Sequence, residues 1–544
     1  MVPELLEIIG VGDYGTIKYW EGRYLVMTND MKTRISMIRR VACFGMFAIM
    51  GMCGWCQEMA TKPRVSPLEF GLKEAKDGEA RYRVLYATHS EARERGVDVD
   101  YSGIDTIEIE VPADAECIPL TRHNDFGGVV LVVRNNTKNH TLFGLRSMSK
   151  SIDIEKERLD RGDFGDIEVL KRGEKLLILS DETPWVGERI GYGSPAMRRD
   201  ILLLKEGVAQ NSPVAAWNTP ATKARCSYVE TDGGQKEIEN LTIHRDRRSS
   251  YISFCISIEN QNNVVLRNVR VTTPKSKLLH DGVIGIHNCT NVRVEDVTIE
   301  GTYSRAGVST GYGYGFSMNN DWNTHFERVR ADGNWGVFGT NCLSQTTLRD
   351  CDINRFDIHC YGRDAKMVGC RFRNKQTQFS SMYGTVEFDS CAFIDCIPVR
   401  IRSSYNAYTP FDIVMRDCVF EPTRRYHALV NVMMLDTNDN ARPELKEKCI
   451  PNVRIENMRV EMPVGLGKII LFNPTGSTTE CTSRVWHHLE RVEIEGLRCV
   501  RNGKLVKTRL LLTDRPIRVE RFEGRMKGVE LGGGEVTEGF LREK

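Results

Sequence analysis

Strand-like runs, apolar and polar residues alternating, recur through most of this chain. Each run ends alike: a polar residue, then an apolar residue or Cys, then another strand residue. The phrase reads NVVLRNVRV from Asn263, NVRVEDVTI from Asn291, TTLRDCDI from Thr346, AKMVGCRF from Ala365, TVEFDSCAF from Thr385 and DIVMRDCVF from Asp412. It also reads HFERVRA from His325 and, earlier, IENLTIH from Ile238; weaker copies are NVRIENMRV from Asn452 and RVEIEGLRC from Arg491. Alignment gives one column: Leu241, Val269, Val297, Val329, Cys351, Cys370, Cys391, Cys418, Met458 and Leu497, at spacings of 28, 28, 32, 22, 19, 21, 27, 40 and 39. A period near 20 with insertions marks a solenoid, and period-two alternation makes each phrase a half-buried strand. The long helical periods of ankyrin and tetratricopeptide arrays are absent. So are the Leu ladder and Asn column of leucine-rich repeats. A β-solenoid remains. Equivalent residues of successive coils then stack about 4.8 Å apart, so the four cysteines form one inward column of free thiols, acting as small apolar residues rather than as disulfides.

This coil pattern resembles the right-handed parallel β-helix superfamily of pectate lyases, polygalacturonases and phage tailspikes. The resemblance covers residues 235–505 and implies an all-β fold that acts on an extended polysaccharide. Around that core, residues 96–234 read as opening coils (DTIEIEVPADAECIPL, then RHNDFGGVVLVVRNN) broken by a polar, Gly-rich, irregular insertion over 144–225. Residues 57–95 are an N-terminal segment, and 506–544, where the repeat fades, should be a C-terminal cap.

Composition changes this picture little. The 75 basic and 73 acidic residues give a net charge of +2, with no concentrated basic surface for nucleic acid. The N-terminus matters more. MKTRISMIRR at 31–40 is followed by an apolar run, Val41–Trp55, too short for a membrane span and suited to an export signal. Residues 31–56 therefore read as a signal peptide or lipoprotein signal, with Cys53 or Cys56 as a possible lipid-anchor site, and 1–30 as an upstream mis-start. The mature chain is expected outside the cytoplasm: periplasmic, cell-surface or secreted. Of 17 cysteines, 14 follow residue 56, with no Cys-x-x-Cys metal spacing among them. No Asp-rich run supports a Ca²⁺ site, and no cofactor is expected.

Each coil carries a second strand before its ladder residue. These strands include IGIHN (Ile284–Asn288), FSMNN (Phe316–Asn320), GVFGTN (Gly336–Asn341), FDIHCYG (Phe356–Gly362) and VRIRSSYN (Val399–Asn406). Period two turns Phe356, Ile358, Val399 and Ile401 inward. The outward set is then Asp357 and His359, with Arg400 and Arg402 on one side, Asn319 and further along His287 on the other, and a gap at Gly339. RFDIHCYGRD, with Arg355, Tyr361 and Arg363 flanking, is the densest set of chemically capable residues; similar Arg-Phe-Asp-x-His phrases occur in other secreted β-helix proteins. His359, Asp357, Arg402, Arg400 and Tyr361 are the catalytic candidates. The loop TYSRAGVSTGYGYG adds Tyr303, Arg305, Tyr312 and Tyr314 as sugar-stacking or proton-donating candidates. The residues allow three functions. β-Elimination of a uronic acid polymer needs charge neutralisation, a base and a proton donor. Hydrolysis needs two carboxylic acids, for which Asp321 and Asp357 are the outward pair. The third is glycan binding without catalysis, as in an adhesin.

Overall fold

The computed structural model describes residues 63–541 except 136–140, 189–194, 214–222, 247–253, 273–281, 301–313, 332–335, 360–361, 381, 402–410, 434–446, 450, 476–485, 514–517 and 533–534. The mis-start and signal assigned to 1–56 lie outside them, as do Tyr303, Arg305, Tyr312, Tyr361 and Arg402.

The chain winds as a parallel β-helix. Successive coils pair in parallel and in register from Thr106–Val111 onward. Register places Leu241 beside Val269, and the carbonyls of Val297, Val329, Cys351, Cys370, Cys391, Cys418 and Met458 each accept from the residue after the next column member. All ten column residues are buried at 0–1% exposure. Cys351, Cys370, Cys391 and Cys418 are free thiols in that stack. Thiol-to-thiol hydrogen bonding and burial together push Cys351 and Cys391 well above the ordinary thiol range.

The polar residue before each column member has a specific task. Asn240, Asn268, Asp296, Arg328, Asp350, Ser390, Asp417 and Asn457 all have φ between 51 and 59°, and glycines fill the same place at 369 and 496. This is the left-handed conformation, which Asn, Asp and Gly tolerate best. It turns the chain sharply between two sheets. Asparagines also ladder across coils elsewhere: Asn288 donates to Asn260 (3.1 Å) and Asn320 to Asn288 (3.0 Å).

Helix α1 (Gly78–Arg95) lies ahead of the coils, and its Tyr82, Leu85 and Ala92 join the solenoid core. Asp77 caps its first turn by accepting from Ala80 N (2.8 Å), and Gly96 ends it in the left-handed conformation. The helix covers the open N-terminal end of the core. The irregular insertion is an ordered antiparallel sheet built on Lys150–Glu155, Glu174–Glu188, Pro195–Lys205, Val208–Ala209 and Lys223–Thr231. One face holds its own core of Ile154, Leu159, Phe164, Leu177, Leu202 and neighbours. The other, through Leu176, Ile178, Ile201 and Leu203, packs on Trp322 of the solenoid. Asn320 donates to the Asp200 carbonyl (3.0 Å), and Asn262 donates to Glu174. At the far end, parallel pairing continues past residue 505, through Thr508–Thr513, Arg518–Lys527, Val529–Gly532 and Glu535–Leu541. This stretch extends the parallel winding instead of capping it, since each of its strands pairs with the coil before it.

Candidate active site

One sheet carries the second strands, and its outward residues fall into two neighbouring columns. The first runs Ser257, Gly285, Ser317, Gly339, then Asp357, Gln378, Arg400 and Asn431. The second runs Arg146, Glu259, His287, Asn319 and Asn341. His359 follows Asn341, since its N–H donates to the Thr340 carbonyl (2.8 Å). Ser380 comes next, donating to the Ile358 carbonyl (3.1 Å). Inward, Phe316 stacks on Phe338 (5.0 Å), with Phe356 edge-on below (5.3 Å). This rigid layer fixes the strand that presents Asp357 and His359.

Asp357 does not face solvent. It is fully buried and holds three donors: Arg355, Gln378 Nε2 (3.1 Å to Oδ1) and His359 Nε2 (2.8 Å to Oδ2). Arg355 is itself only 7% exposed. A carboxylate so paired is held by charge-assisted bonds and is unavailable for attack or for protonating a leaving group. His359 retains 12% exposure, so it alone of the pair reaches the surface. With Nε2–H donated to Asp357, the proton-accepting atom of the neutral ring is Nδ1.

The gap over Gly339 is filled. A Cβ there would come within 2.4 Å of the Tyr314 ring, so only glycine lets that ring lie flat across the strand. Tyr314 lies edge-on to His359 (ring centroids 6.0 Å apart), with its hydroxyl 3.5 Å from Nε2. The sequence had placed Tyr314 in a loop; it opens the strand Tyr314–Glu327.

Asp321, expected to face outward with Asp357, turns into a corner. It is 1% exposed, and its two oxygens accept from the backbone N–H groups of Cys289 (2.8 Å) and Asn319 (3.1 Å). Burial pushes its carboxyl well up, against those two bonds. Its work is to hold two adjacent coils together at a turn. Arg363 lies beyond the turn, on the strand Gly362–Val368 beside Ser344 and Tyr383, in a different sheet from His359. Asn319 and the half-buried Arg400 lie on the two columns as expected, and His287 lies further along.

One carboxylate on this face was missed. Glu259 ends the strand Phe254–Glu259 and is 31% exposed. The alternation of FCISIEN, one coil before IGIHN, was the available signal. A concavity of about 510 Å³ lies on a different sheet, lined by Arg454, Glu456, Glu493, Glu495, Arg521 and Arg525. Its charges pair among themselves, as Arg454 does with Glu456 (2.5 Å), and it is remote from His359 in sequence and register. Among the described residues no group of three or more His, Cys, Asp or Glu is disposed to hold a metal ion, and no helix is long and apolar enough to cross a membrane.

No protein-family model and no curated protein matches the sequence. Among solved structures the chain is similar to the tailspike protein gp49 from Pseudomonas phage LKA1, at 13% identity over 88% of this chain and 79% of that one, with a TM-score of 0.46. It is similar to the Gp54 tailspike of Acinetobacter baumannii bacteriophage AP22, solved in complex with capsular saccharide, at 10% identity over 83% and 77% (TM-score 0.43). The tailspike gp61 of Pseudomonas phage phi297 shows 10% identity over 80% of each chain (TM-score 0.44). At these identities and scores the likeness carries no chemistry over to this chain. The parallel β-helix itself rests on the strand pairing described above.

Proposed function

We propose that this chain is an exported enzyme that cleaves a uronic acid-containing polysaccharide by β-elimination, at His359. The observation that carries the reading is the contrast between His359 and the nearby acids. Asp357 and Asp321 are both buried and fully engaged, whereas His359 is partly open and oriented by Asp357 beside a tyrosine hydroxyl. Hydrolysis through that carboxylate pair would need both acids at the glycosidic bond. Elimination needs a base and a proton donor instead. His359 Nδ1 takes the C5 proton, the C4–O bond breaks as the C4–C5 double bond forms, and the Tyr314 hydroxyl protonates the departing oxygen. Arg400, on the same face as Asp357, supplies positive charge for the substrate carboxylate as it gains enolate character. An elongated polar stripe across the coils suits an extended glycan. Export rests on the basic-then-apolar leader at 31–55.

The test is a panel: polygalacturonate, alginate, hyaluronan and heparosan, each followed for ultraviolet absorbance of unsaturated ends and for new reducing ends. Both signals rising together on one polymer is the expected result. Reducing ends without absorbance would mean hydrolysis.

A further inference from the structure

The arrangement at His359 recurs in part further along the same face. Phe254 lies across Gly285, where a Cβ would meet its ring at 3.1 Å, and edge-on to His287 (centroids 5.5 Å apart). Tyr314 does the same over Gly339 beside His359. Aromatic ring, glycine and histidine are thus repeated, but with the hydroxyl missing. His287 lies on the same outward column, three coil steps from His359, which is about 14 Å at the usual strand spacing. Its neighbour in the preceding coil is Glu259, which accepts from Ser257 Oγ (2.6 Å) and pairs with Arg146 (3.0 Å). Burial pulls His287 below the ordinary histidine range, with Glu259 opposing.

We infer that Phe254, His287, Glu259 and Arg146 form a second, non-catalytic glycan subsite, which binds a sugar unit of the chain cleaved at His359. Phe254 offers an apolar ring edge to a sugar face. Arg146 and Glu259, 41% and 31% exposed, offer a planar donor and acceptor to hydroxyls. Ser257 and Arg146 fix the Glu259 carboxylate, so little side-chain freedom is lost on binding. With phenylalanine in the place that tyrosine holds at His359, the cluster lacks the hydroxyl that serves as proton donor in the proposed elimination.

The inference rests on the proposed glycan function, and its test separates the two. Full-length protein is run in native gels cast with polygalacturonate, alginate, hyaluronan or heparosan, with thermal melts confirming folding. At least one polymer should retard the wild type and His359→Ala alike. The Glu259→Gln/His287→Ala double variant and, separately, the exposed-site variant Arg146→Ala should lose at least half of that retardation while melting as wild type does. Folded variants as retarded as wild type would overturn the subsite, as would a wild type that no polymer retards. A wild type that is retarded but yields no cleavage products would sink the catalytic reading and leave the subsite standing.

Discussion

In the proposed site Asp357 works by being inaccessible. Its carboxylate, with Arg355, Gln378 and His359 around it, is a buried network that holds an imidazole in place. Removing one member of a buried ion pair costs about 3–5 kcal/mol, because the partner charge is left stranded. Asp357→Ala should therefore lower stability by about that much in urea melts, and abolish turnover. Wild-type stability in that variant would mean that Arg355 is not held by this pair. Tyr314→Phe keeps the ring over Gly339 and loses only the hydroxyl. It should melt normally and lose about 10²-fold or more in turnover, the scale for losing an acid–base group; unchanged turnover would remove Tyr314 from the chemistry. The sequence made the alternation around His359 legible, because period two is a backbone property. It hid the burial of Asp357 and Asp321, because alternation gives a side chain's direction and not what covers it: partners two residues away and in the adjacent coil close over both carboxylates. The gap at Gly339 was likewise filled by a ring from a preceding coil.

At the level of elements, the ladder phrase was legible down to single residues, since each repeat uses the same turn and the same inward position. The cysteine column gives a direct check. Cys351, Cys370, Cys391 and Cys418 are at most 1% exposed and should not react with a thiol reagent until the protein is unfolded. Labelling of any of them in the native state would break the register. Helix α1 was missed, although Asp77 and Gly96 are ordinary cap signals at the right spacing. It carries a pH-sensitive group. His89 is fully buried, bonded to the Tyr101 hydroxyl (2.8 Å) between aromatic rings, and burial pushes its pKa down from 6.5 to about 4. Between those values the unfolded chain binds a proton that the folded chain refuses. The contribution of neutral His89 is therefore whole above pH 6.5 and falls as pH drops toward 4, by about 1.4 kcal/mol per pH unit. Urea melts of wild type and His89→Phe across that range should diverge in slope by this amount. Parallel slopes would contradict the assignment.

At the scale of the whole molecule, stability is spread along coils that touch only their neighbours, so a continuous face can be devoted to a long ligand without a deep cavity. Charge balance follows from the same stacking. Arg267 pairs with Glu239 (2.6 Å) and Arg416 with Glu456 (3.0 Å) across adjacent coils, so opposite charges neutralise each other along the stack. The coil pattern therefore revealed the architecture, whereas the antiparallel insertion escaped it because residues 144–225 break the repeat on which that pattern rests. Under the proposed function, this scaffold presents His359 as the base of an elimination. The most direct measurement is the rate of unsaturated-product formation by His359→Ala and wild type on whichever uronic acid polymer the panel identifies, with melting temperatures in parallel. A rate lower by about 10²-fold or more with an unchanged melt is the predicted result; full turnover by a folded His359→Ala would contradict it.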